Sequence, residues 1–407
     1  MAHASDTTDT VANGHGLQTR EVVALSVYFL LFFAALGFVV PFIPIFLDAR
    51  GLSLSEIAIV ITTGAVVGAL TQGPLGHLSD SLGARRHLAV FSCVSLGASY
   101  LFYGFAHETW QFALLAAWSG AGLLAGFTLP QAIIADWTSA SGSTARGFSA
   151  TRIWGTVGFV GSLVCVTALP SIASTTAFLY CAAGLYAACA FPLLATREAP
   201  VKATRLSLLT GAMRVLASDR SYVFLFCFTI FRLCESGTVN YLGLYVKGMG
   251  GTGSTVAMTY MIAACAEMPI MLLVGRVSDR FGRKAPLILA FAIWPVRLYL
   301  YSLITVPSSI YYIQLLHGFT YGIVLIVSVA YMSDVAASDL RATAQGLLSV
   351  ASAVALAAGP LLVGFVGDAI GLAATFEVMA ALAVFALIIL VAFVQEPRRP
   401  ATNPPTS

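Results

Sequence analysis

Apolar runs of about twenty residues, separated by short polar intervals, fill most of the chain, and each is long enough to cross a bilayer as a helix. They lie near 22–46, 56–79, 87–105, 110–135, 148–169 and 175–195, and again near 221–246, 255–277, 286–305, 310–333, 342–366 and 373–394. The pattern predicts an all-α membrane protein with twelve transmembrane helices in two pseudo-symmetric halves, the six-helix bundles 22–195 and 221–395. The longest polar interval, 196–220, divides the halves and holds Arg197, Lys202, Arg205, Arg214 and Arg220, as a cytoplasmic linker would. Residues 1–21 lack the basic-then-apolar build of a cleaved signal peptide and read as a disordered cytoplasmic tail. The Pro-rich stretch 396–407 reads as a second one.

Polar punctuation repeats between the halves. Gly76-His-Leu-Ser-Asp80-Ser-Leu-Gly83-Ala-Arg85-Arg86 follows span two, and Gly275-Arg-Val-Ser-Asp279-Arg280-Phe-Gly282-Arg283-Lys284 follows span eight. Asp136 and Arg146 near the end of span four have counterparts in Asp334 and Arg341 after span ten. Gly83 and Gly282 permit a tight turn. Asp80 and Asp279 can cap a helix or pair with nearby arginines. The set Asp80, Arg85, Asp136, Asp279, Arg283, Asp334 and Arg341 is therefore expected to form an inner gate; plain topogenic charge is the simpler alternative. With both termini inside, the even-numbered loops carry nearly all the Lys and Arg, and the opposite loops hold only Arg50 and Lys247. That asymmetry orients the chain with cytoplasmic termini in a cell membrane.

Composition agrees. The chain has 407 residues, 58% hydrophobic and only 10% charged, against about 25% charged in soluble domains. No basic patch suggests nucleic acid. The seven cysteines lie inside apolar runs with no metal-ligand spacing, so no metal site is expected. No nucleophile–base pattern or phosphate-cradling loop points to an enzyme, and no cofactor is implied.

The repeated loop resembles that of the major facilitator superfamily, Gly-x-Leu-Ala-Asp-Arg-x-Gly-Arg-Lys, with Val277 and Ser278 departing in the second copy and Ser81 and Ala84 in the first. The resemblance covers 22–395 and implies a secondary transporter whose halves rock around a midplane site.

Ionisable residues at membrane depth are costly and usually face a cavity with a partner. Arg152, Arg232, Glu235, Glu267, Arg297 and His317 are such residues, and with Asn240, Gln131, Gln314 and Tyr321 they are candidates to line a chamber between the halves. Gln314, His317 and Tyr321 share one face of span ten. Arg232 and Glu235, one turn apart, can pair; Asn240 would point elsewhere unless Gly237 loosens the helix. A hydrogen-bonded core imidazole at His317 and a structural ion pair at Arg232–Glu235 are the plainer alternatives.

The contexts of Arg152, Glu267, Arg297 and His317 resemble the proton-linked symporter branch of lactose permeases, nucleoside symporters and phenylpropionate permeases. That resemblance implies solute contacts at Arg152 and Glu267, and a proton and substrate network at Arg297 and His317. Phe159 stands where lactose permeases carry Trp, and Thr320 where they carry a proton-linked Glu, so lactose is not the expected solute. The resulting expectation is proton-coupled uptake of a nucleoside, sugar or aromatic acid by a functional monomer. Glu235, Glu267 and His317 are the candidate proton carriers, and the proton is the only coupling agent. Proton-driven export within the same fold and a non-transporting receptor are the competing readings.

Overall fold

The computed structural model describes residues 19–141, 144–197, 213–216, 221–337 and 340–397, without side-chain placement at 19, 80, 135–141, 144–150 and 174. Helix α1 (Thr19–Val39) breaks at Pro41 and resumes as Ile43–Ala49. It is followed by α2 (Leu54–Leu82), α3 (Arg85–Tyr103), α4 (Thr109–Ser141), α5 (Thr144–Ala168) and α6 (Ala177–Ala188, continued as Ala190–Leu194). The second half contains α7 (Ser221–Gly248), α8 (Gly253–Phe281), α9 (Lys284–Ser302), α10 (Pro307–Val335), α11 (Arg341–Ile370) and α12 (Leu372–Phe393). Among the described residues eleven of these are long and apolar enough to cross a membrane. The twelfth, α3, is diluted by Arg85, Arg86 and His87 at its start.

The internal duplication is visible in local geometry. Both α2 and α8 run 29 residues from a side-chain capping box, Ser53 with Glu56 and Thr252 with Thr255. Both end at a left-handed glycine, Gly83 at φ 60° and Gly282 at φ 91°. A side chain on an L-residue disfavours that backbone region, which is why the expected tight turns fall there.

The halves meet along α2 against α11 and α5 against α8. The cross-half hydrogen bonds described lie toward the end of the bundle opposite the termini. Asp368 at the end of α11 accepts from the Leu54 N–H at 3.0 Å and the Ser55 N–H at 2.9 Å. Tyr241 Oη donates to Leu54 O at 2.8 Å, Thr62 Oγ1 to Ala357 O at 2.8 Å, and Ser254 Oγ to Thr167 O at 3.4 Å. Gly364 lies directly against Leu54 O and Ala58, whereas Gly73, Gly76 and Gly346, toward the terminal end of the same seam, face open space. The bundle is closed at the far end.

Two tail boundaries shift. Helix is already formed at Thr19, so the expected N-terminal tail to residue 21 is too long by the helix's first turn. Glu396, expected to open the C-terminal tail, instead accepts from the N–H groups of Arg283 at 2.6 Å and Lys284 at 2.7 Å, capping α9. The remainder of both tails, and linker residues 198–212 and 217–220, lie outside the described residues.

Candidate transport site

Between the halves lies a cavity of about 280 Å³ whose walls come from α1, α5 and α7 to α10. Arg152, Phe159, Glu235, Glu267, Arg297, Gln314, His317 and Tyr321 all line it. Eight residues singled out from sequence thus converge on one space.

Their contacts are mostly interhelical. His317 Nε2 stands 2.6 Å from Glu267 Oε1, joining α10 to α8. The close approach is possible because Gly318, the next residue, has no side chain to meet the Ala266 carbonyl beside Glu267. Arg297 is 2% exposed and donates through Nη2 to Gln314 Oε1 at 2.6 Å and through Nη1 to Thr320 Oγ1 at 3.1 Å. Its guanidinium also lies 5.0 Å from the Trp294 ring centre and 5.5 Å from that of Tyr301. The hydroxyl at Thr320 therefore helps orient Arg297 from the neighbouring helix. Arg232 and Glu235 pair at 2.7 Å on α7, and Arg232 stacks on Tyr321 at 5.3 Å. Arg152 lies 4.2 Å above the Phe33 ring.

Helix α10 is not regular. A π-type turn over Gly318–Gly322 widens it beside the cavity. His317 and Tyr321 nonetheless stack at 5.5 Å with ring planes 16° apart, and Gln314 faces the same space, so the expected shared face holds.

Three candidates are placed elsewhere. Arg232, held by Glu235 and the Tyr321 ring, is not among the residues lining the cavity. Asn240 donates to Ser236 O at 2.8 Å and lines a second, apolar cavity, because α7 stays regular past Gly237. Gln131, on α4, is not among the residues lining the charged cavity. Phe33 and Trp294 line it and Tyr301 backs Arg297, but an aromatic residue in an apolar run carries no sequence signal for such a role.

At the terminal end, Arg283 forms a compact latch in the second half. It donates to Asp334 at 2.7 Å, Asp279 at 2.6 Å and Ser278 at 2.8 Å. Partial burial works against its charge, but the bonds to Asp334 and Asp279 outweigh that and raise its pKa. Asp279 belongs to the last turn of α8, so it pairs with Arg283 rather than capping a helix start. Arg85 is buried at the start of α3, and Arg341 opens α11 exposed. The side chains of Asp80, Asp136 and Arg146 lie outside the described residues.

Two six-helix bundles that enclose a charged cavity and touch at one end define a multi-pass membrane transporter of small-molecule solutes rather than an enzyme. The chain belongs to the MFS_1 like family of the major facilitator superfamily, whose model matches residues 22–378. It is similar to the maltose permease of Geobacillus stearothermophilus, 25% identical over 82% of this chain and 84% of that one. It is also similar to multidrug resistance protein MdtG of Klebsiella pneumoniae (strain 342), 25% identical over 91% of this chain and 92% of that one. A solved structure of nucleoside transporter NupG, in a mutant form, superposes with a TM-score of 0.84 at 15% identity, covering 92% of this chain and 100% of that one, a likeness of fold.

Proposed function

We propose that this protein is a proton-coupled symporter that takes up a small organic solute such as a nucleoside, sugar or aromatic acid by alternating access. The contact between Glu267 and His317 carries the reading. These two ionisable side chains share a 2.6 Å contact on the wall of a solute-sized cavity, where a proton moving onto the pair changes the charge that closure must bury. Arg152 and Arg297 hold the solute, with Phe159 and Tyr321 as apolar walls, and Glu235 is the second candidate carrier. The volume is near the lower end for small-molecule sites, about 300 to 1,000 Å³, which favours a compact solute.

The chain acts as a monomer in the cell membrane with both termini cytoplasmic. On that orientation the closed far end faces outward and the structure is inward-facing. Rocking would break the α2–α11 contacts and open the cavity to the outside. The test is accumulation in proteoliposomes under an imposed proton gradient. Accumulation unchanged by the double substitution Glu267→Gln and Glu235→Gln would sink the coupling.

Proton-driven export is the second reading, supported by the match to a multidrug resistance protein over most of the chain. Raised drug tolerance in an efflux-deficient host expressing this protein would favour it.

A further inference from the structure

The charged cavity holds a positive surplus that no distribution of its protons removes. Arg232 and Glu235 cancel one another at 2.7 Å. Arg152 and Arg297 remain, and the Glu267–His317 pair is the only other ionised wall element among the described residues. That pair carries at most one negative charge, when His317 is neutral. At least one guanidinium is therefore left without a counter-charge.

An uncompensated charge costs most at Arg297, which is fully buried whereas Arg152 is half-buried. The acceptors of Arg297's hydrogen bonds, Gln314 and Thr320, are neutral, and its other neighbours are aromatic faces. Beside it, Arg297 Nε and Trp294 Nε1, one helical turn apart on α9, are buried with no hydrogen-bond partner. An unpaired guanidinium in such a setting is strongly disfavoured until an anion arrives. A carboxylate matches it best, since two coplanar oxygens meet the guanidinium fork.

The cavity also has an apolar annex. Val40 and Val239 line both the charged cavity and a second one of about 300 Å³, walled by Ile61, Tyr100, Tyr103 and Leu123. We infer that the solute is an organic monoanion, a carboxylate held at Arg297, whose apolar ring or short alkyl body extends past Val40 and Val239 into that annex. This rests on the transport reading of the cavity and is independent of proton coupling.

The experiment is thermal-shift titration of the purified full-length protein, without any gradient, against matched pairs: benzoate with benzamide, and cyclohexanecarboxylate with its carboxamide. Acetate tests the head group alone. Each ring carboxylate is expected to bind at least about tenfold tighter than its amide, and benzoate at least about tenfold tighter than acetate. Gln314→Glu places a carboxylate beside Arg297 without deleting the buried guanidinium, and should abolish the benzoate shift while the protein still melts cooperatively. Amides binding as well as carboxylates, no shift with any carboxylate, or full benzoate affinity in Gln314→Glu would each overturn the inference. Acetate equal to benzoate would overturn the annex. Carboxylate binding together with uptake that ignores the proton gradient would refute the coupling alone.

Discussion

Glu267 Oε1 and His317 Nε2 stand 2.6 Å apart between α8 and α10, at the wall of the central cavity. Neither residue has an acidic or basic neighbour one turn away on its own helix, so the pair exists only through helix packing. It joins a carboxylate and an imidazole on the cavity wall.

Removing the carboxylate of this pair while keeping its shape isolates its role. Glu267→Gln should reduce proton-driven accumulation in proteoliposomes by about tenfold or more, equivalent to about 1.4 kcal/mol. Movement of solute down its own gradient should persist. Equal accumulation by variant and wild type would exclude Glu267 as a carrier.

Asp368 caps α2 from the opposite half, and Asp368→Ala removes both bonds, to Leu54 and Ser55. Loss of a cap costs about 0.5–2 kcal/mol. That shifts the equilibrium about two- to thirtyfold toward the state open at the far end. Distances between spin labels flanking the α2–α11 seam should lengthen, and an unaltered distribution would contradict this.

Gly364→Ala should act in the same direction and more strongly. A methyl group there would lie 2.5 Å from both Leu54 O and Ala58 Cβ, and a helix backbone cannot yield as a flexible side chain can. The same label pair reports the outcome; a variant that keeps the far end closed would show that the helices relax in place.

Arg283→Ala removes the bonds to Asp334, Asp279 and Ser278. Because the Asp279 side chain is 70% exposed, its share is heavily screened. A loss of about 1 kcal/mol is expected, seen as a melting temperature lower by about 1–3 °C. Arg283→Lys should recover only part, since an ammonium cannot reproduce the guanidinium fork. Full recovery by lysine would show that charge alone holds the latch.

Much of the site was legible because ionised groups are rare inside apolar runs. Arg152, Glu235, Glu267, Arg297 and His317 stand out against oily neighbours, and the cavity contains all five. Polar but uncharged residues were less informative: Gln314 reaches the cavity, whereas Asn240 bonds back to its own helix at Ser236. An amide can satisfy itself locally, so its presence at membrane depth does not require a cavity. In the sequence Thr320 signals only the lack of a carboxylate; its contact, Arg297, lies on another helix.

The sequence by itself determined the twelve apolar spans, the duplicated loop with its left-handed glycines, and which charges fall inside apolar runs, since hydropathy and backbone sterics act along the chain. Tertiary structure alone decided the partners. Glu267 meets His317 because Gly318 lets α10 close on α8, Asp368 caps a helix in the other half, and Arg297 finds only neutral acceptors. These contacts depend on how helices distant in sequence are set against one another, and the periodicity within each span does not specify that.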